Sequence, residues 1–309
     1  MNSENKISIV IVTYNSEKYI EKNIASIIKF NSDLIDQIIV YDSNSSDSTL
    51  KIIEENFPQV EIIHGENRGY GYALNQGFKI CKNEIMIGSN DDIYFFDNSL
   101  KNIYTTFKKY ESVGIVGPKI LYDDKTLQRS ITNNPNIIKD SLQILFPSFI
   151  NTENKIFRIL VSFFQKLLSI GRFDNHKNKK IVTAVKGAFF ILRKDVFTAT
   201  KGFDERIPFD TEEQIFCLRA KNQGWQTFFD PSICIVHIAG LSLGLAGSQE
   251  NKLRFAVKIQ STLLFYKYYK PFFWYIISYL SFVMSLSIRL IYLSIFRRNT
   301  KKNIFYSLK

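Results

Sequence analysis

Short β-branched runs alternate with segments of helical periodicity along the first third of the chain, and each run ends in a polar cluster. Ile7-Ser8-Ile9-Val10-Ile11-Val12-Thr13-Tyr14 opens the pattern with the near-continuous apolarity of an interior parallel strand. Asn15-Ser16 then offers an N-cap, and Ile20, Ile24, Ile27 and Ile28 repeat at helical spacing. Residues 37–41 predict a second strand closed by Asp42, and Ser45-Ser46-Asp47-Ser48 the turn before a helix over 49–57. A third strand over 60–64, a helix near 71–81 and a strand over 84–88 follow. Units of this length in this order make a doubly wound, mostly parallel α/β sheet.

Beyond that point, residues 113–122 read as a strand pair hinged at Gly117-Pro118. Residues 129–180 are looser, rich in Asn, Lys and Asp around one basic, amphipathic helix over 156–168. A strand over 185–192, a helix from Asp195 and the segment Gly202-Phe203-Asp204-Glu205 come next. A helix over 212–222 and short strands at 226–229 and 233–237 then lead to a loop holding Gly240 and Gly244.

In a parallel sheet the carboxyl ends of the strands share one edge, where ligands bind. Four polar clusters fall there: Thr13-Tyr14-Asn15, Asp42-Ser43-Asn44, Asn67-Arg68-Gly69-Tyr70-Gly71 and Asn90-Asp91-Asp92. The run Met86-Ile87-Gly88-Ser89 delivers the two adjacent carboxylates of the last cluster. Adjacent acids repel and so hold a cation or a proton. Hard oxygen donors suit Mg²⁺ or Mn²⁺, with substrate phosphates completing the shell. Helix capping is the alternative use of such an Asp. The whole edge suits a nucleotide, with an aromatic wall for the base, Asp42 to accept from the base or ribose, and a metal at the diphosphate.

Other motifs are weaker. Gly69-Tyr70-Gly71 lacks the third glycine of the dinucleotide fingerprint, and no G-x-x-x-x-G-K-[ST] is present. Asp47 and Ser48 read as helix caps. Glu212-Glu213 opens a helix, where it either complements the dipole or supplies a general base, one acid raising the pKa of the other. His237 ends an apolar strand; it is a partly buried histidine, or a metal or phosphate ligand if the fold sets it opposite Asp92.

In order, the motifs resemble the family-2 glycosyltransferases of the GT-A fold, and among them the rhamnosyltransferase-like members. The matching pieces are Val10 to Asn15, Val40 to Thr49, Asn67 to Asn75, Asn90-Asp91-Asp92, Gly187 to Arg193, Gly202 to Glu205, Glu212-Glu213 with Leu218-Arg219, and His237 with Gly240 and Ser242. The resemblance implies that Thr13, Tyr14 and Asn15 line the base pocket and Asp42 bonds the base. Asn67 and Gly71 would sit by the ribose and phosphates, and Asp91 near the ribose. Asp92 would bind Mg²⁺ or Mn²⁺, with His237 approaching the metal or diphosphate. Glu213, beside Glu212, would be the base of an inverting single displacement. The chain departs from the family pattern at Asn90, where Asp is usual, at Glu213, where many relatives have Asp, and at Ile215, where another Asp is frequent. Rhamnose from dTDP-rhamnose is the donor indicated. The alternatives are a UDP-hexose donor, a sugar nucleotidyltransferase, or a scaffold that has lost catalysis.

Composition places the chain. Net charge is +11, yet residues 250–309 alone hold eleven Lys and Arg against the single acid Glu250. Pro271-Phe272-Phe273-Trp274-Tyr275-Ile276-Ile277 opens an apolar run to Phe296, with Arg289 its one charged residue and basic residues on both flanks. As a helix this run measures roughly 39 Å, against a hydrocarbon core of about 30 Å. It spans a membrane, lies in the interface on anionic headgroups, or packs in a soluble core. Nucleic acid is excluded as a partner, because so greasy a run would be exposed on a groove-binding surface. Residues 1–6 carry no export signal, and Cys81, Cys217 and Cys234 suit a reduced compartment. The expected organisation is a GT-A domain over 1–245, with a variable acceptor-side insertion at about 123–184, and a basic, aromatic helical tail over 246–309. The expected partners are a nucleotide-sugar, a glycan or polyprenyl-diphosphate-linked acceptor and the cytoplasmic face of the inner membrane, held peripherally or by one segment.

Overall fold

The computed structural model describes residues 6–145, 159, 176–238 and 248–306. The chain divides into two compact units, residues 1–134 with 174–261 and residues 135–173 with 262–309. In the first unit β1 (Ile7–Thr13), β2 (Ile35–Asp42), β3 (Glu61–His64) and β4 (Ile85–Asn90) run parallel in the order β3-β2-β1-β4. Helices α1 (Ile20–Asn31), α2 (Thr49–Asn56) and α3 (Tyr70–Lys79) connect them. Both faces of β1 are buried, Ile9 and Ile11 in one apolar cluster and Val10 in the other, which is why the run is apolar without alternation.

Past β4 come β5 (Ile93–Tyr94), helix α4 (Asn102–Lys109), β6 (Val113–Leu121) and β7 (Ile131–Thr132). After them lie β8 (Lys180–Val182), β9 (Ala184–Val185), β10 (Phe189–Arg193) and β11 (Gln226–His237). The sheet continues from β4 as β10-β6-β11-β5, with β8 also on β11, while β7 and β9 pair separately. β10 runs antiparallel to both β4 and β6, so the sheet is mixed rather than parallel throughout.

Four local expectations are corrected. Residues 113–122 form one strand through Pro118, because β11 bulges opposite it: the register passes from Asp230↔Pro118 to Cys234↔Lys119. The same bulge joins 226–229 and 233–237 into a single strand, with Asp230 accepting from Ser232 N at 3.0 Å and Lys179 Nζ at 2.7 Å. The strand expected over 185–192 breaks at Lys186-Gly187-Ala188, where Lys186 N donates to Ser130 O and Ala188 O accepts from Asn90 N. Asn15-Ser16 is no cap: Asn15 takes a left-handed turn at φ 52°, its Oδ1 accepts from Ser46 N at 2.8 Å, and α1 begins only at Ile20.

Helix α6 (Lys194–Thr200) and helix α7 (Glu212–Asn222) flank the second half of the sheet. A Cβ on Gly77 of α3 would lie 2.3 Å from Val10 Cγ1, so helix and strand touch where only glycine fits. Gly77→Ala is therefore expected to destabilise the protein by about 1–3 kcal/mol, read as a lowered Tm. The thiols of Cys81 and Cys217 are buried, that of Cys234 partly so; burial pushes Cys81 up to about 12 and Cys217 up to about 11, so these two are inert.

In the second unit α5 (Ile137–Leu145) packs on α9 (Phe272–Tyr306), the Ser141 and Ser281 hydroxyls meeting at 2.7 Å. Arg289 donates to Ile144 O. Helix α8 (Ser248–Tyr269) begins in the first unit and ends in the second. Phe272, Phe273, Trp274, Ile277, Leu280 and Met284 of α9 are exposed. The segment 156–168 (apart from the exposed Ile159), Gly240, Ser242 and Gly244 lie outside the described residues.

Candidate active site

The parallel register sets Thr13 beside Asp42, Val12 beside Asn90 and Asp42 beside His64, so the four polar clusters stand abreast. A cleft of about 430 Å³ opens there, floored by Val12, Thr13, Tyr14, Asn15, Asp91 and Asp92. Its far wall comes from Asn67, Arg68, Gly69, Tyr70, Pro208, Phe209 and Val257. The last of these is on α8, whose Lys258 pairs with Asp210 at 3.7 Å and whose Ser261 hydroxyl donates to Phe209 O.

Asp92 and His237 meet because β5 pairs with the end of β11. His237 lies opposite Ile93 in that ladder, and Ile238 N donates to Asp92 O at 3.0 Å. His237 Nε2 thus stands 3.2 Å from Asp92 Oδ1, with the two side chains 6% and 8% exposed. Neither atom completes a hydrogen bond among the described residues. Burial alone would push the Asp92 carboxyl up; the His237 imidazole and the Lys186 ammonium reverse this and hold it below the usual value. Two converging donors of this kind fit a divalent cation that takes one or two protein ligands and fills its shell with phosphate oxygens and water. No cage of three or more His, Cys, Asp or Glu is found among the described residues.

Asp91 accepts from Tyr14 N at 3.4 Å, and burial together with the Asp92 charge pushes its carboxyl up to about 7. Glu213 sits against Gly187, where a Cβ would lie 3.4 Å from its carboxyl, and burial with the Asp210 charge pushes it up to about 7. Glu212 is buried, its Oε2 accepts from Thr211 N at 2.9 Å, and burial and the Glu213 charge push it well up. Burial draws both carboxyls toward the protonated form, and Glu212 is the one tied to the backbone at its helix end. Tyr70 ties the acids together: its hydroxyl donates to Gly187 O at 2.8 Å, and burial, Glu212, Glu213, Asp91 and Asp92 all raise its pKa.

Five candidate residues, Asp42, Gly71, Glu212, Glu213 and His237, do not line the cleft itself. Asp42 is 1% exposed, and its Oδ2 accepts from Ser45 N at 3.1 Å, shaping the turn whose Ser43 lines the cleft. Gly71 is buried, with Phe203 3.0 Å from where its Cβ would be. Asp47 Oδ1 accepts from the N–H of Thr49, the first residue of α2, at 3.0 Å, while Ser48 makes no side-chain capping bond. Sequence reasoning gave no role of their own to Tyr70, Phe209, Val257, Lys186 and Gln128. Only the aromatic between Gly69 and Gly71 carried a local signal; the others reach the site through long-range pairing.

Comparison with known proteins identifies the family and the fold. A family profile described as "Glycosyl transferase family 2" matches residues 8–197. An uncharacterized glycosyltransferase of Nostoc sp. is 27% identical over 147 residues, 45% of this chain and 45% of its own length, so the chain spans less than half of that relative. The N-acetylglucosaminyl-diphospho-decaprenol L-rhamnosyltransferase of Mycobacterium tuberculosis is 22% identical over 252 residues, covering 77% of this chain and 78% of its own. The mannosyltransferase PcManGT of Pyrobaculum calidifontis, solved with GDP-Man and Mn²⁺, superposes with a TM-score of 0.52 at 15% identity, over 84% of this chain and 62% of that one. That likeness shows a shared GT-A-like fold.

Proposed function

The chain belongs to glycosyl transferase family 2, and on that footing we propose that it is an inverting, metal-dependent glycosyltransferase. It moves a sugar from a nucleotide-sugar to a hydroxyl of a lipid-linked glycan in cell-surface polysaccharide synthesis. The observation that carries the reading is the convergence of Asp92 and His237 on one point, with the near-neutral carboxyl of Glu213 in the same cluster of acids.

Thr13, Tyr14, Asn15, Asn67 and Asp91 hold the nucleotide-sugar, with Asp42 and Gly71 acting from behind the wall. Asp92 and His237 would hold Mg²⁺ or Mn²⁺, the latter being the ion bound together with GDP-Man in the archaeal mannosyltransferase complex. When bound, that ion supplies Lewis-acid stabilisation of the charge on the departing nucleoside diphosphate. Glu213 takes the proton of the acceptor hydroxyl, which attacks the sugar carbon from the face opposite the diphosphate. Buried Glu212 keeps the helix start rigid so that the carboxyl of Glu213 holds its position.

We take rhamnose from dTDP-rhamnose as the donor and a polyprenyl-diphosphate-linked glycan as the acceptor, the substrates nearest to those named for the mycobacterial relative. The test is a panel of nucleotide-sugars with Mg²⁺ or Mn²⁺, scored for binding, hydrolysis and transfer. Fastest turnover is expected with dTDP-rhamnose; turnover with UDP-hexoses only would change the donor, and metal-dependent binding without turnover would mark a scaffold.

Residues 1–245 form the catalytic domain, and 246–309 the membrane-associating tail at the cytoplasmic face, with Val257 lining the cleft. The exposed apolar face of α9 argues for a lipid environment over a soluble core. Replacing Trp274 and Leu280 together with Asp is expected to abolish flotation with phosphatidylglycerol vesicles. Unchanged flotation would remove the helix from membrane binding.

A further inference from the structure

Gln128 and Lys186 belong to no motif, yet both point at the buried side of His237. Lys186 Nζ lies 2.6 Å from Gln128 Oε1, and that same oxygen lies 2.6 Å from His237 Nδ1. Gln128 Nε2 donates to the His237 carbonyl at 3.2 Å, so one amide grips the histidine by its ring and its backbone. Gln128 is 2% exposed. It is held in turn by its own N–H, which donates to Ile120 O at 2.9 Å, and Lys186 by its N–H to Ser130 O at 3.0 Å.

Donor and acceptor chemistry orders these contacts without reference to hydrogen positions. An ammonium only donates, so the amide atom beside Lys186 is the oxygen. An amide oxygen only accepts, so the His237 Nδ1 facing it at 2.6 Å carries a proton; Lys186 Nζ stands 3.5 Å from the same nitrogen, the far longer of the two contacts. A neutral imidazole with Nδ1–H has its lone pair on Nε2. Nε2 is the atom 3.2 Å from Asp92 Oδ1 with no hydrogen-bond partner among the described residues. Two acceptors that close repel unless positive charge lies between them, either a second ring proton, which would make His237 an imidazolium paired with Asp92, or a divalent cation.

We propose that Gln128, braced by Lys186, is a positioning residue that locks His237 as the Nδ1–H tautomer and so presents Nε2 to the same divalent cation as Asp92. The inference rests on the cation reading above, but the tautomer can be measured with no cation present. Lys186 adds a second effect. Its charge polarises the amide oxygen toward His237.

The test is long-range ¹H–¹⁵N NMR on the full-length, metal-free protein. The chain has three histidines, and His237→Gln assigns the signal. The wild type is expected to show one Nδ1–H tautomer at His237, and Gln128→Ala a tautomer mixture. Mn²⁺ affinity, read from free Mn²⁺ by EPR in the presence of a nucleoside diphosphate, should fall about 10- to 100-fold in Gln128→Ala. Gln128→Glu keeps an oxygen acceptor and should restore the tautomer, which a merely space-filling role would not require. Lys186→Met, which leaves Gln128 in place, should loosen the tautomer in a protein that still folds. A wild-type Nε2–H tautomer, or an unchanged Nδ1–H signal in Gln128→Ala, overturns the proposal. A locked Nδ1–H in a protein that takes up no Mn²⁺ supports the positioning role and overturns the cation reading.

Discussion

Glu213→Gln lowers kcat for transfer by about 10³-fold, within the range a general base contributes, while nucleotide-sugar binding stays within a few-fold of wild type. Because burial pushes the Glu213 carboxyl from 4.5 to about 7, the wild-type rate should rise between pH 6 and 8 as that proton leaves. The variant should lose this rise. The same shift has a stability consequence of fixed sign. A carboxyl with a raised folded pKa holds its proton more tightly in the folded state, so its contribution is favourable below about 4.5 and is lost as pH climbs through about 7. Glu213→Gln removes a buried charge without changing shape. It should therefore be more stable than wild type at pH 8, by about 1–2 kcal/mol, and indistinguishable near pH 4. A variant both dead and stabilised at pH 8 marks a site that gives up stability for chemistry. Near-normal transfer by Glu213→Gln would remove the residue from its role.

Asp92→Asn is the second large effect. The backbone carbonyl that accepts from Ile238 N is untouched by this change, so the β5–β11 pairing and the melting curve should survive. What is lost is the anionic half of the Asp92–His237 pair. Transfer should fall by about 10²–10³-fold, the scale of removing one preorganised stabiliser of developing charge. Chelating the divalent ion from the wild type should do the same. A variant that keeps metal-dependent nucleotide binding would show that the ion sits elsewhere.

Much of this site was legible from local sequence, for reasons that apply residue by residue. β1, β2 and β4 are covered on both faces, so their apolar runs are continuous and their polar ends conspicuous at Thr13, Asp42 and Asn90. α7 starts at Glu212, where the paired acids complement the helix dipole, and the register of that turn puts Glu213 against Gly187. What was not legible depends on pairing between distant segments. Nothing near Gln128 says that it will reach a histidine 109 positions away. Pro118 argues for a bend, and only the opposing bulge at Asp230 lets the strand continue. The acidic chemistry of Asp42 suggested a ligand contact, whereas the turn at Ser45 draws its carboxylate inward. α8 looked like part of a separate tail, yet Val257 lines the cleft because Ser261 and Lys258 tie the helix to Phe209 and Asp210.

Glu213 and Asp92 are assigned different work, and a single calorimetric titration separates the two. Nucleoside diphosphate is titrated with and without Mn²⁺ into wild type, Glu213→Gln and Asp92→Asn. The expected result is Mn²⁺-dependent binding of equal strength in wild type and Glu213→Gln, and loss of the Mn²⁺ dependence in Asp92→Asn. Equal Mn²⁺-dependent binding by all three proteins, or its loss in Glu213→Gln, would contradict the division of labour on which the proposed transfer rests.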